Sequence, residues 1–264
     1  MCNLKIIVCA KQVPDTTEVK IDKETNTLIR EGVPSILNPD DANALEQALL
    51  IKDENEDTTV TVVSMGPPQA MEMLRECLAM GADEAILLSD RAFGGSDTWA
   101  TSNAIAAGIR KIGDYDIIFA GRQAIDGDTA QVGPQISEKL DIPQVTYVQD
   151  VKIDGKKVTV ERQLEDGHEV IEVEMPVLLT AVKELNEPRH MFISKIFEAC
   201  EKEIKVWSID DVDITTAEVG LKASPTRVFR SFTPELKGAG EILEGTVEEV
   251  TARVAKELKN EHII

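Results

Sequence analysis

Hydrophobic residues follow two rhythms along this chain, and the change between them divides it. Over the first 140 residues short apolar runs alternate with amphipathic stretches. Leu4–Val8 is a β-branched run and reads as a strand. Two weaker strand patterns, Val19–Ile21 and Thr27–Arg30, flank a hairpin turn over 22–26. Asn38-Pro39-Asp40-Asp41 then opens a helix to about Lys52. Asn suits the N-cap, Pro the first helical position, and the two Asp residues the positive end of the helix dipole. Ala44, Leu45, Ala48 and Leu49 form its buried stripe. Thr58–Ser64 is the next strand, and the helix after Gly66-Pro67-Pro68 turns Met71, Leu74, Leu78 and Met80 inward. Glu84–Leu88 is a strand, Asp97 caps a helix to about Ile112, Tyr115–Ala120 is a buried strand, and Pro134–Leu140 reads as a helix. Such strand–helix repeats predict a doubly wound, mostly parallel α/β sheet with right-handed crossovers.

From Val145 the period shortens to two. Val145–Val151, Lys157–Gln163, His168–Glu174 and Val177–Val182 are short runs separated by Asp154-Gly155 and Asp166-Gly167, a hairpin signal. They predict an antiparallel extension, or a mixed edge on the main sheet. Leu185–Lys205 reads as loop and short helix, and Ile204–Ser208 as a strand. Val212–Lys237 reads as an extended arm, too long for a loop within one compact domain and better suited to lie across a partner. Gly245–Lys259 sets Val247, Val250, Val254 and Leu258 on one helical face. The organisation expected is an α/β domain over 1–185, a docking loop and arm over 186–237, and a C-terminal helix over 238–264.

Composition narrows the function. Forty-eight acidic against 28 basic residues give a formal net charge of −20, which argues against nucleic-acid and anionic-membrane partners. No apolar run reaches membrane-spanning length. The four cysteines, Cys2, Cys9, Cys77 and Cys200, form no Cys-x-x-Cys pair, and only His168, His190 and His262 supply imidazole. Reduced thiols, no metal site and a cytoplasmic location are expected. The first apolar run, from Leu4, reads as a strand, so no signal peptide is expected.

The candidate chemistry lies in the loops after the strands. Gly121-Arg122-Gln123-Ala124-Ile125-Asp126-Gly127-Asp128-Thr129-Ala130-Gln131-Val132-Gly133-Pro134 joins a buried strand to a helix. Open α/β sheets bind nucleotides at that place, because helix N-termini leave backbone N–H groups free for phosphate. The bland alternative is a βα loop whose Asp and Thr serve as caps. Cys9-Ala10-Lys11, Asn38–Asp41 and Ser64–Pro67 are expected to converge on the same edge, with Lys11 and Arg122 as local cations. Asp126 and Asp128 could form a dyad or Mg²⁺ site, but ribose binding or capping is commoner for such a pair. Ser89–Thr98 is a second Gly-rich loop. Either it is a plain connection, or it covers a flat ring with Phe93 as lid and Asp97 and Thr98 bonding polar edges. Neither Gly-x-Gly-x-x-Gly nor the P-loop motif occurs, so a standard Rossmann dehydrogenase and a P-loop NTPase are excluded. No nucleophile–base pair is evident, and no catalytic residue is assigned.

Taken in order, several motifs resemble the β subunit of electron-transfer flavoprotein. They are Lys11, Asn38-Pro39, Gly66-Pro67, Ala79-Met80-Gly81-Ala82-Asp83, the loop after Tyr115–Ala120, Val160–Arg162, Glu165–Ile171, Pro176–Thr180 and Leu185–Arg189. The resemblance covers nearly the whole chain. It implies a Rossmann-like fold akin to adenine-nucleotide α-hydrolases, and a heterodimer in which the C-terminal arm embraces an α subunit. Ala124–Pro134 and Ser89–Thr98 resemble the electron-bifurcating type. That type implies FAD on this subunit, NADH as hydride donor, ferredoxin or flavodoxin as one acceptor, and an acyl-CoA dehydrogenase served through the α-subunit flavin. The ordinary carriers hold AMP instead, and a nucleotide-sensing module is a third reading.

By the same resemblance Cys9, Ala10, Lys11, Asn38, Asp40, Met65, Gly66, Asp97, Thr98, Gln123, Ala124, Ile125, Asp126, Gly127, Asp128, Thr129, Ala130, Gln131, Val132 and Gly133 bind the cofactor. Adenine and ribose are placed near Cys9 and Asp40, and the phosphates beside 128–133, with Thr129 and Gln131 donating. Ile193, within Arg189–Lys195, is the apolar anchor of a dehydrogenase-docking loop; its alternative is a core position in a short helix.

Overall fold

The computed structural model describes residues 3–15, 34–55, 57–229, 238 and 240–264. The chain divides into two units, Met1–Phe229 and Arg230–Ile264. In the first, nine strands form one sheet in the order β11-β5-β4-β1-β6-β10-β7-β8-β9, and β2 pairs with β3 apart from it. Strand β1 (Lys5–Cys9) is followed by β2 (Gln12–Pro14) and β3 (Ser35–Leu37), then helix α1 (Pro39–Glu54), β4 (Thr59–Met65), α2 (Ala70–Met80) and β5 (Glu84–Leu88). Next come α3 (Thr98–Ile112), β6 (Ile117–Gly121) and α4 (Val132–Leu140). The weak strands 19–21 and 27–30 lie outside the described residues.

Strands β1, β4, β5 and β6 are all parallel, and the order turns back between β1 and β6. This is the topological switch point, where a parallel sheet opens a crevice at its carboxyl edge. The strands are apolar on both faces because both are covered. Ile6, Val8, Val62, Leu87 and Phe119 pack with Leu45 and Leu49 of α1 and Met73, Leu74 and Leu78 of α2. Ile7, Ile86, Leu88 and Ile118 pack with Ile105 and Ile109 of α3 and Ile136 of α4. In α2 the buried stripe runs through Met73 and Cys77, and Met71 sits at its margin.

The second half differs from the alternation rule in one respect. Strand β7 (Gln144–Asp154), β8 (Lys157–Leu164) and β9 (Gly167–Glu174) are antiparallel, as the Asp-Gly turns require. Strand β10 (Val177–Ala181) instead runs parallel between β6 and β7. All five of its residues are buried, so it is a central strand with no polar face. The mixed-edge alternative is the one that forms.

Helix α5 (Ile193–Glu201) lies against α2, and β11 (Ile204–Trp207) adds a parallel edge strand beside β5. The segment expected to be an arm is partly docked. Val212 and Val219 are buried in the core, and the short helix α6 (Gly220–Ala223) is bonded to the loop before α3. From Arg227 onward the side chains are exposed to the end of this unit; Phe229 is 98 % exposed. Residues 230–237 lie outside the described set.

The second unit contains α7 (Val247–Asn260). Thr246 and Glu249 form a capping box at its start, and Arg253 pairs with Glu241 at 2.6 Å. No helix among the described residues is long and apolar enough to cross a membrane.

Candidate functional site

The carboxyl ends of β4, β1 and β6 are adjacent, so Met65, Cys9–Lys11 and Gly121–Gln123 share one edge. What orders this edge is the first turn of α1. Asn38 occupies the N-cap position, but its side chain makes no capping bond. Its amide donates to Gln123 O at 2.8 Å, and its Oδ1 accepts from Ile125 N–H at 3.0 Å. The expectation that Asn38 caps α1 is therefore corrected. The residue is fully buried and spends its side chain on the loop 85–87 positions away.

Asp41, expected at this edge with Asn38–Asp41 but not among the residues assigned to the cofactor, does the same for the strands. Its two oxygens accept from Lys11 N–H at 2.8 Å and from Gly121 N–H at 2.9 Å, joining the exits of β1 and β6. A side chain at Gly121 would collide with this carboxylate and with the Asp40 backbone. Burial pushes the Asp41 carboxyl up to about 7, against the lowering effect of those N–H bonds and of Asn38 and Lys11. Burial also raises Asp40, offset by Arg122 beside it. The Cys9 thiol is buried and driven upward, chiefly by desolvation and then by Asp41, so it is an inert apolar wall.

Both expected cations are held by carboxylates. Lys11 Nζ meets Asp126 at 2.6 Å, and Arg122 Nε lies 3.3 Å from Asp40 Oδ2. The second pair is an ion pair of poor hydrogen-bond alignment, with both atoms buried. Ser64 Oγ on β4 and Gln135 Oε1 on α4 are buried without a hydrogen-bond partner, as are Thr58 Oγ1 and Arg162 Nε elsewhere. Leaving such a group unbonded costs about 1–3 kcal/mol. The Ser64 hydroxyl can donate to a phosphate oxygen, and the Gln135 oxygen can accept from a hydroxyl or amide group. They suit a phosphorylated, hydroxyl-bearing ligand.

The loop after β6 is tight and strained. Gly127 and Asp128 N–H both bond Ala124 O, and Asp128 also accepts from the Gln123 amide. Asp128 and Ala130 have φ of 52° and 51°. For alanine this left-handed conformation costs about 1–2 kcal/mol. Asp126 and Asp128 thus have different partners and do not form a dyad. Helix α4 begins at Val132, two residues earlier than Pro134 suggested, and no side chain caps it. Gly133 is buried against β10: a Cβ there would stand 2.7 Å from Thr180 Cγ2. Gln123, Ala124 and Val132 are half-buried, while Ile125, Thr129 and Gln131 are exposed.

The second Gly-rich loop reaches the same edge through Thr98, whose hydroxyl donates to Gln131 Oε1 at 2.9 Å. Asp97 caps α3 through Ala100 N–H and also accepts from Thr226 N–H at 2.9 Å. Phe93 is no lid, because it is buried in the core beneath the loop. Met65 and Gly66 are half-exposed at the end of β4. The Asn38–Asp41, Lys11 and Gly121–Ile125 segments are joined at this edge by bonds that no local motif encodes.

The family model for the electron transfer flavoprotein domain matches residues 25–212. The chain belongs to the electron transfer flavoprotein family. It is similar to the caffeyl-CoA reductase-Etf complex subunit CarD of Acetobacterium woodii, with 64 % identity over 99 % of this chain and 100 % of that protein. It is 62 % identical to an electron transfer flavoprotein subunit beta of Clostridium acetobutylicum, over 99 % of this chain and 100 % of the other. The acryloyl-CoA reductase electron transfer subunit gamma of Anaerotignum propionicum shares 49 % identity over 99 % and 100 %. Within the family frame, Ile193 is not the core residue that its helical spacing allowed. It is 76 % exposed at the start of α5, beside exposed Phe192 and Phe197.

Proposed function

We propose that this chain is the redox-active β subunit of an electron-bifurcating electron transfer flavoprotein heterodimer, and that the edge between β1, β4, β6 and α4 holds FAD. The observation that carries the reading is that the exits of β4, β1 and β6 share one sheet edge, with the Arg122–Asp40 pair on it and with α4 starting nearby without a side-chain cap. FAD is favoured over AMP because Ala124–Pro134 and Ser89–Thr98 resemble the bifurcating type, and the similarity to a caffeyl-CoA reductase-Etf complex subunit fits a role in such a reductase assembly.

The chain's own contribution is positional. Arg122 Nε, Ser64 Oγ and the N–H groups opening α4 would meet diphosphate oxygens, and Asp40 a ribose hydroxyl. The exposed Thr129 and Gln131 would add donors once a ligand is present. Gly133 lets the first turn of α4 lie against β10, which fixes the helix N–H groups beside this edge. Lys11 paired with Asp126 keeps one wall neutral, so that an anion is met chiefly by dipoles and Arg122. When bound, FAD supplies a hydride acceptor for NADH and a source of single electrons for ferredoxin or flavodoxin and for the α-subunit flavin. The exposed Phe192, Ile193 and Phe197 would dock the acyl-CoA dehydrogenase that receives electrons from the α subunit.

The test is the nucleotide content of the complex co-produced with its α subunit and purified gently. Two flavins per heterodimer and NADH oxidation are expected. One flavin with one AMP, and no NADH oxidation, would refute the bifurcating reading in favour of a plain carrier.

A further inference from the structure

Among the described residues, Asp41 is the buried carboxylate at the candidate edge whose oxygens are both committed to backbone N–H groups, one just after β1 and one at the end of β6. Resting on the nucleotide-site reading above, we infer that Asp41 is a positioning residue, whose ionised carboxylate sets the spacing between the β1 and β6 exits and thereby ligand affinity. Each of those exits leads to a wall of the site. Lys11 continues into its pair with Asp126, and Gly121 continues into Arg122 and the strained loop.

The chemistry is specific to the charged form. Two N–H donors need two full acceptors, and only a carboxylate offers two equivalent ones. A protonated acid gives up one of them, and an amide turns an NH₂ toward one of the two donors. The surroundings make loss of the charge accessible. Cys9 on β1 and Cys77 on α2 are buried thiols, Asp40 adjoins on α1, and Lys11 supplies a cation beyond a backbone bond. Arg122 and Asp126 are the next charges outward, each already paired. Burial accordingly lifts the carboxyl to about 7.

The experiment measures FAD affinity of the full-length chain by flavin fluorescence from pH 5.5 to 8.5. FAD is chosen because its diphosphate carries no phosphomonoester proton, unlike AMP, which titrates near pH 6. The wild type is expected to lose at least fivefold in affinity from pH 8 to 6, with a midpoint near 7. Asp41→Asn is expected to bind at least tenfold more weakly at pH 8 and to show no such midpoint. Asp114→Asn, the same charge change on the surface, should match the wild type. Wild-type affinity in Asp41→Asn, or the same pH profile in both, overturns the inference alone. Absence of FAD binding by the wild type at any pH overturns the site reading and this inference with it. Should Asp41→Asn fail to fold by circular dichroism, the wild-type profile decides: a midpoint near 7 supports the inference and a flat profile overturns it.

Discussion

Asn38 gives the sharpest test of how this edge is built. Replacing it with alanine removes two hydrogen bonds, to Gln123 O and from Ile125 N–H, at 2.8 and 3.0 Å. Each is worth about 1 kcal/mol net, and the two stranded backbone groups cost more where water cannot reach them. Ile125 is half-exposed and can recover a water, so the loss is about 2–3 kcal/mol. If that loss falls on the loop's bound conformation, cofactor affinity drops by about 30- to 150-fold, at 1.4 kcal/mol per tenfold.

The discriminating variants are serine and aspartate. Both are as good as asparagine at a helix N-cap. If Asn38 served α1, either would restore binding and stability. With its side chain spent on the loop, serine is too short to bridge both groups, and aspartate sets an oxygen against the Gln123 carbonyl. Both should therefore bind flavin about as weakly as alanine, in titrations of the full-length chain. Near-native affinity in Asn38→Asp would refute the argument.

Four further outcomes are expected. Gly133→Ala forces a Cβ to 2.7 Å from Thr180 and should destabilise the fold by about 1–3 kcal/mol in denaturant titrations, whereas Gly127→Ala, with nothing within 4 Å of its Cβ, should be nearly neutral. Ala130→Gly releases a left-handed alanine and should raise stability by up to about 1 kcal/mol while loosening nucleotide retention. Ile193→Glu with Phe197→Asp should slow electron delivery to the partner dehydrogenase in coupled assays and leave flavin content unchanged. Asp41 is raised from 3.8 to about 7 in the fold, so its stabilising proton is fully present below about pH 4 and lost as pH rises through 7. Chemical denaturation should show the wild type losing a few kcal/mol, about, across that window, and Asp41→Asn a flatter profile.

The parts that could be read from the sequence were those encoded locally. Period-3.6 stripes located α1 to α3, the Asp-Gly pairs located the β7–β8–β9 turns, and Asp97 does cap α3. Elements whose local signal serves a distant partner were misread. The Asn-Pro-Asp-Asp start of α1 carries every mark of a cap, yet Asn38 and Asp41 reach across to β6, 80 or more residues on. Phe93 sits in a loop that looks open, yet it is buried in the cluster that holds Ile86, Leu88 and Ile105. Val212–Thr226 has no periodicity. It docks through backbone and hydroxyl contacts to Ser96, Asp97 and Gly94, which leave no compositional trace. The parallel placement of β10 was hinted at by its unbroken apolar run, a pattern that fits a central strand better than a hairpin arm.

These misreadings cluster where the fold is least comfortable. One sheet edge holds a buried carboxyl group, an alanine in the left-handed region, two glycines pressed against neighbours, and buried polar atoms without bonds. A sequence optimised for stability alone would relieve several of them, for example with glycine at 130 or with partners for Ser64 and Gln135. Such features persist together when a ligand completes them, because binding then supplies the missing bonds only in the folded state. On that logic, saturating FAD should stabilise the wild type more than it stabilises Asn38→Ala or Asp41→Asn. The difference in melting shift, rather than the melting temperature itself, measures how far the first turn of α1 is built for the ligand. Equal shifts in all three proteins would mean that the strain at this edge has nothing to do with binding.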